Sequence, residues 1–171
     1  YGYGRHPQYM CNSSVLEYRL FAADKALDPE RAEIVRKAKI PQNITNWKNR
    51  AKRPESELSA VNRKWLIEKP QVIARAMVLA DQTLFVAGPP DVVDEEEIWG
   101  RTLEPEVQVK LSAQSAALEG QQGSLLWAVS ASDGKRLAEY KLESVPAFDG
   151  MAAANGRLYL AMKNGRVVCR R

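Results

Sequence analysis

The dipeptide Asn155-Gly156 constrains this chain more than any other feature. Both residues tolerate positive φ, so an Asn-Gly pair between apolar alternating segments specifies a two-residue hairpin, and a hairpin specifies antiparallel pairing. Similar punctuation runs through Gly123–Arg171. Leu125–Val129 is apolar and β-prone, and Ser132-Asp133-Gly134 turns the chain into the mostly polar Lys135–Leu142, which carries Leu137 and Tyr140. After a loop at Pro146, Met151–Ala154 leads into Asn155-Gly156; Arg157–Met162 alternates, and Asn164-Gly165 turns once more into Arg166–Cys169. The predicted product is an antiparallel meander.

A second copy of this pattern lies upstream. Setting Val72–Gly88 on Pro146–Met162 aligns Met77 with Met151, Ala80 with Ala154, Asp81-Gln82 with Asn155-Gly156, and Leu84–Ala87 with Leu158–Ala161. A strand–turn–strand repeated at about 74 residues implies two related units with an insertion between them, since an ordinary blade is shorter. The insertion falls at Pro89–Gln122, where strand alternation ceases.

The run Leu126-Trp127-Ala128-Val129-Ser130-Ala131-Ser132-Asp133-Gly134-Lys135, with Arg157-Leu158-Tyr159-Leu160 and Asn164-Gly165-Arg166-Val167-Val168-Cys169, resembles the repeat of quinoprotein-type (PQQ-like) β-propellers. That resemblance implies blades of antiparallel strands around a ring. It departs at the third strand, where the usual docking Trp is replaced by Leu137-Ala138-Glu139-Tyr140, with Tyr140 the nearest aromatic. The expected fold is therefore mostly β: antiparallel meander blades of a partial propeller ring with a short helix and an inserted acidic and helical segment. Residues 1–25 would be strand from an earlier blade, 26–70 a helix and basic connector, 71–142 a blade interrupted at 89–122, and 143–171 a partial final blade. Leu126, Val129, Met77, Leu79, Leu158 and Leu160 are the expected core.

Upstream, Ser14–Ala22 alternates as a strand, and Ala22-Ala23-Asp24-Lys25 is similar to Ser130–Lys135. Asp28-Pro29-Glu30 opens a helix with a capping side chain, a first-turn proline and first-turn acid, and Pro41 stops it. The basic segment Lys48, Arg50, Lys52 and Arg53 around Trp47 reads as a solvated connector in preference to a phosphate-binding patch. A net charge of +4 without a clustered patch gives no ground for a nucleic-acid partner. No apolar run reaches the roughly 20 residues of a membrane helix. No leader is visible, and with Tyr1 in place of an initiator Met this leaves the compartment open; the resemblance implies a periplasmic or extracellular setting.

In the insertion, Asp91, Asp94, Glu95, Glu96 and Glu97 form an acidic run, followed by Trp99 and a helix-like Leu111–Glu119. Asp91, Asp94, Glu95 and Glu96 are candidate ligands for a hard divalent cation, but their spacing lacks the Gly and Asn of a calcium loop, so a solvated, self-repelling loop is preferred. Acidic insertion and basic connector could face one another, an interaction that salt would weaken. Trp99 and Trp47 are candidate carbohydrate or polymer platforms, whereas Trp127 is expected in the core. Cys11 and Cys169 could close a disulfide between the ends of the chain; two separate small apolar residues is the preferred reading.

Little catalytic chemistry is legible. His6 is the lone histidine, in a Gly/Tyr segment, and neither a nucleophile elbow nor a glycine-rich phosphate loop occurs. Asn12-Ser13-Ser14 and Asn43-Ile44-Thr45 are formal glycosylation sequons. In the quinoproteins, PQQ and Ca²⁺ sit on the axis of a complete ring, and none of the ligands the family uses there maps onto this chain. No cofactor is predicted unless the chain joins such a ring. The sequence thus reads as a non-catalytic binding or scaffolding module of a larger secreted or envelope protein, with self-association, the remaining blades, or a protein or polysaccharide as partner. The alternatives are a fragment of a quinone-dependent dehydrogenase and a carbohydrate- or polymer-binding module.

Overall fold

In a computed structural model of the chain, residues 1–4, 17–37 and 60–171 are described. They divide into two compact units, Tyr1–Lys69 and Pro70–Arg171. His6, Cys11, Trp47, both sequons and the basic segment Lys48–Arg53 lie outside the described residues.

The first unit is a three-stranded antiparallel sheet with β1 (Gly2–Gly4), β2 (Arg19–Leu27) and β3 (Val61–Glu68) in sequence order. Leu20, Ala22 and Trp65 are buried, and Tyr3 stacks on Tyr18 with ring centroids 5.1 Å apart. β2 runs past Ala22, the end of the predicted strand Ser14–Ala22, and takes in Ala22–Lys25, where register shifts against β3 accommodate it. Helix α1 (Pro29–Lys37) starts as its sequence requires: the Asp28 carboxylate accepts the N–H of Glu30 at 3.0 Å and of Arg31 at 3.1 Å.

The second unit holds two antiparallel sheets. One has β4 (Ala76–Ala80), β5 (Thr83–Gly88), β6 (Ser124–Ser130) and β7 (Arg136–Leu142) in order. The other has β8 (Pro146–Ala154), β9 (Arg157–Met162) and β10 (Val167–Arg170), also in order. The two hairpins of the repeat turn through left-handed residues at matching places, Asp81 at φ 49° and Asn155 at φ 52°.

Register makes the repeat explicit. Met77 pairs with Val86 and Val86 with Trp127; Met151 pairs with Leu160 and Leu160 with Val168. On the other face, Ala87 meets Leu126 as Ala161 meets Val167, and Phe85 meets Ala128 as Tyr159 meets Cys169. The two sheets then pack through unlike faces. The core joins Ala87, Leu126 and Leu142 of the first sheet to Leu158, Leu160 and Met162 of the second, with Val78, Phe85, Met151, Ala153 and Val168 packed against it. One sheet contributes its Phe85/Ala87 face and the next the counterpart of its Val86/Trp127 face, so the stacking is head-to-tail. Neither sheet closes into a barrel.

The expected core residues Leu126, Val129, Leu158 and Leu160 are buried and Met77 is partly so. Leu79 departs from the expectation at 47% exposure, because it lies near the end of the edge strand β4, two residues before the left-handed Asp81 of the hairpin turn. The insertion also departs from a solvated loop. Its helix α2 runs Pro105–Glu119, starting six residues before the predicted Leu111, and ends in a left-handed Gly120 whose N–H bonds back to Ala117. Val93, Ile98 and Val107 form a small core of their own with Leu111 against it. Among the described residues, no helix is long and apolar enough to cross a membrane.

Candidate functional site

The insertion presents the candidate residues on a folded base. The Gln114 side chain accepts the Val92 N–H at 2.8 Å and donates to the Pro90 carbonyl at 3.2 Å, fastening α2 to the segment after β5. Lys110 on α2 meets Glu97 at 3.0 Å. Gly120 lies against Val145 of the β7–β8 connection, where an added Cβ would stand 3.0 Å from the Val145 side chain.

This base splits the acidic run. Asp94 accepts the Glu97 N–H at 2.9 Å and acts as a turn cap, while Glu97 serves the ion pair with Lys110. Side chains at successive positions of such short turns diverge. Asp91, Asp94, Glu95 and Glu96 are not brought together: among the described residues, no group of three or more His, Cys, Asp or Glu side chains is placed to hold a metal ion.

Trp99 follows the buried Ile98 and is 60% exposed. Anchoring Ile98 in the small core directs the next side chain outward. Two residues on, Arg101 reaches Glu104 at 2.7 Å and Glu106 at 2.6 Å. The hydrogen bond from Arg101 holds the Glu104 carboxyl below the usual carboxylate range, and the reciprocal bond raises Arg101. Leu103 and Val109 are exposed nearby in the chain. Trp99 can therefore offer an indole face to a ligand, whereas its companion Trp47 is outside the described residues.

Trp127 is core. Its indole N–H donates to Glu139 at 2.9 Å, and Arg136 sits 4.9 Å above the ring while binding Glu139 at 2.8 Å. The cross-strand pair Trp127–Glu139 puts donor and acceptor opposite each other. The Tyr140 ring, by contrast, is 46% exposed, with the Arg170 guanidinium 5.8 Å from its centroid.

An open groove of about 620 Å³ runs beside the ends of β6 and β7, lined in part by Gln122, Ser124, Lys141 and Glu143. The Ser124 hydroxyl is committed to the Ser144 carbonyl at 2.6 Å and is not presented as a nucleophile. Cys169 is an exposed free thiol on β10, and its prospective partner Cys11 lies outside the described residues.

Sequence reasoning assigned no residues to the second face of the last sheet. Ala152, Tyr159, Ala161, Val167 and Cys169 share that face, and each is exposed or half-buried. The signal was present: β9 is apolar at both alternating sets of positions, Leu158, Leu160 and Met162 on one side and Tyr159 and Ala161 on the other. Such a strand is built to be covered twice.

Compared with known protein families, with curated proteins and with solved structures, the chain matches none.

Proposed function

We propose that this chain is a non-catalytic binding or scaffolding module built from propeller-type blades, which associates by laying a further β-sheet on the open face of its last sheet. The observation that carries this reading is the head-to-tail packing of two sheets in equivalent register. A head-to-tail contact satisfies one face and offers another of the same kind, so it propagates until something closes it. On the open face, Tyr159, Ala161 and Val167 occupy the positions that Phe85, Ala87 and Leu126 occupy in the buried contact. Blades of a secreted or envelope protein, or further copies of this chain, supply such a sheet.

Light scattering coupled to size exclusion tests the reading. Wild type is expected to exceed the mass of one chain as concentration rises, and Ala161→Glu, which sets a carboxylate in the middle of the apolar face, to return it to one chain. A wild type with single-chain mass throughout would overturn self-association through this face.

The exposed indole of Trp99 supports a second reading, a platform for a carbohydrate or polymer. Trp99→Ala should then abolish binding to whichever polysaccharide the wild type retains on an affinity gel; unchanged retention removes the idea.

A further inference from the structure

The sheet β8–β9–β10 follows the register of β4–β5–β6 over Met151–Ala154, Arg157–Ala161 and Val167–Arg170 but has, among the described residues, no counterpart of β7. In the first sheet that fourth strand pairs with β6 from Ser124 to Val129. The equivalent edge of β10 is hydrogen-bonding surface. The Met162 N–H donates to the Arg166 carbonyl at 2.8 Å. By antiparallel alternation, Leu160–Val168 and Leu158–Arg170 are then the hydrogen-bonded pairs. Val167 and Cys169 accordingly turn their N–H and C=O groups to the outer edge.

Charge selects the occupant. Arg166, Arg170 and Arg171 are all exposed around this four-residue strand. A two-fold pairing of β10 with a second β10 centred on Val168 would set Arg166 against Arg170 at both ends, and like charges directly opposite one another are destabilising. The template β7 is also unsuited, since its register would place Arg136 opposite the equivalent of Arg170 and Lys141 opposite that of Arg166. We propose that the outer edge of β10 accepts an antiparallel strand from another polypeptide, an extended segment with an uncharged centre over Val167–Cys169 and carboxylates opposite Arg166 and Arg170. Main-chain bonds to Val167 and Cys169 give such a strand its affinity and the arginines set its register and sign. This partner class deepens the binding reading proposed above and rests on it, but it uses the edge of the sheet, not its face.

The test is amide hydrogen exchange followed by NMR on the full chain, at a dilution where light scattering gives the mass of one chain. The probe is the peptide Glu-Leu-Ala-Gln-Tyr-Glu-Leu, the β7 sequence carrying R136E, E139Q and K141E. Saturating peptide should slow exchange at the Val167 and Cys169 amides by about tenfold or more, as expected for edge amides that gain a strand partner. Two cross-strand ion pairs predict that R166E/R170E weakens this peptide by about fivefold and comes to prefer the lysine-flanked Lys-Leu-Ala-Gln-Tyr-Lys-Leu. Core amides such as Leu160 report that the variant is folded. Unchanged exchange at Val167 and Cys169, or equal binding of both peptides by the wild type, would overturn the proposal. Slow exchange at these amides without peptide would assign the edge to this chain itself, and slow exchange only at high concentration would assign it to a second copy; each overturns it. A wild type that is monomeric at every concentration removes the self-association reading and leaves this outcome unaffected.

Discussion

Trp127 shows how one side chain fixes a strand pair. It is 4% exposed, so Trp127→Ala loses the burial and leaves a cavity, an expected cost of about 3–5 kcal/mol in urea unfolding. Its indole N–H has the Glu139 carboxylate as acceptor. Glu139→Ala should cost about 1–2 kcal/mol through the orphaned donor, whereas Glu139→Gln, which keeps an acceptor oxygen, should recover most of it. Equal losses in the two variants would mean that the ion pair with Arg136, not the indole bond, carries the effect. Gly88 makes a different demand. A Cβ there would stand 1.8 Å from the Ile73 carbonyl oxygen, because residues 72–75 run alongside the end of β5. Gly88→Ala must displace backbone, so we expect a loss of about 3 kcal/mol or more; wild-type stability would contradict that close approach. The burial of Trp127 could be read from its place inside an apolar strand. The need for glycine at 88 could not, since it arises from a segment 15 residues earlier.

Among the elements, the hairpins were legible and the insertion was not. Asn155-Gly156, Asn164-Gly165 and Ser132-Asp133-Gly134 encode their turns locally; Asp133 accepts the Lys135 N–H at 3.1 Å, as an Asx turn should. Strand bounds follow closely, with β9 at Arg157–Met162 as read. Helix α2 was half seen because its first turns carry Val107 and Val109 among polar residues, and the contacts that hold it, from Gln114 and Lys110, reach 13 residues or more along the chain. The acidic run looked self-repelling because the Lys110 cation that meets Glu97 lies 13 residues further along the chain. Acid should loosen the first turn of α2. The Glu104 carboxyl titrates below its unfolded value, so its contribution is present above the unfolded pKa and is lost as pH falls through the folded one. The groups are solvent-exposed, so the effect is local: amide exchange in the first turn of α2 should quicken below the usual carboxylate range, and Arg101→Gln should remove that sensitivity. An identical acid response in Arg101→Gln would show that this pair does not govern it.

At the scale of the molecule, the second unit, Pro70–Arg171, is two copies of one antiparallel unit, the first with four strands and the second with three, sharing a core through unlike faces. The repeat was readable because aligned strands and turns carry like residues at a constant spacing. The face on which each copy packs was not readable, because alternation gives two apolar sets in β9 without saying which meets the neighbour. Stacking is the account's central claim, and a double-mutant cycle between Leu126 and Leu160 tests it most directly. Leu126→Ala and Leu160→Ala should each cost about 2–5 kcal/mol, and the pair should depart from additivity by about 0.5–3 kcal/mol because both side chains line one core. Costs that add within about 0.3 kcal/mol would mean that the two sheets do not share that core, and would contradict the head-to-tail arrangement.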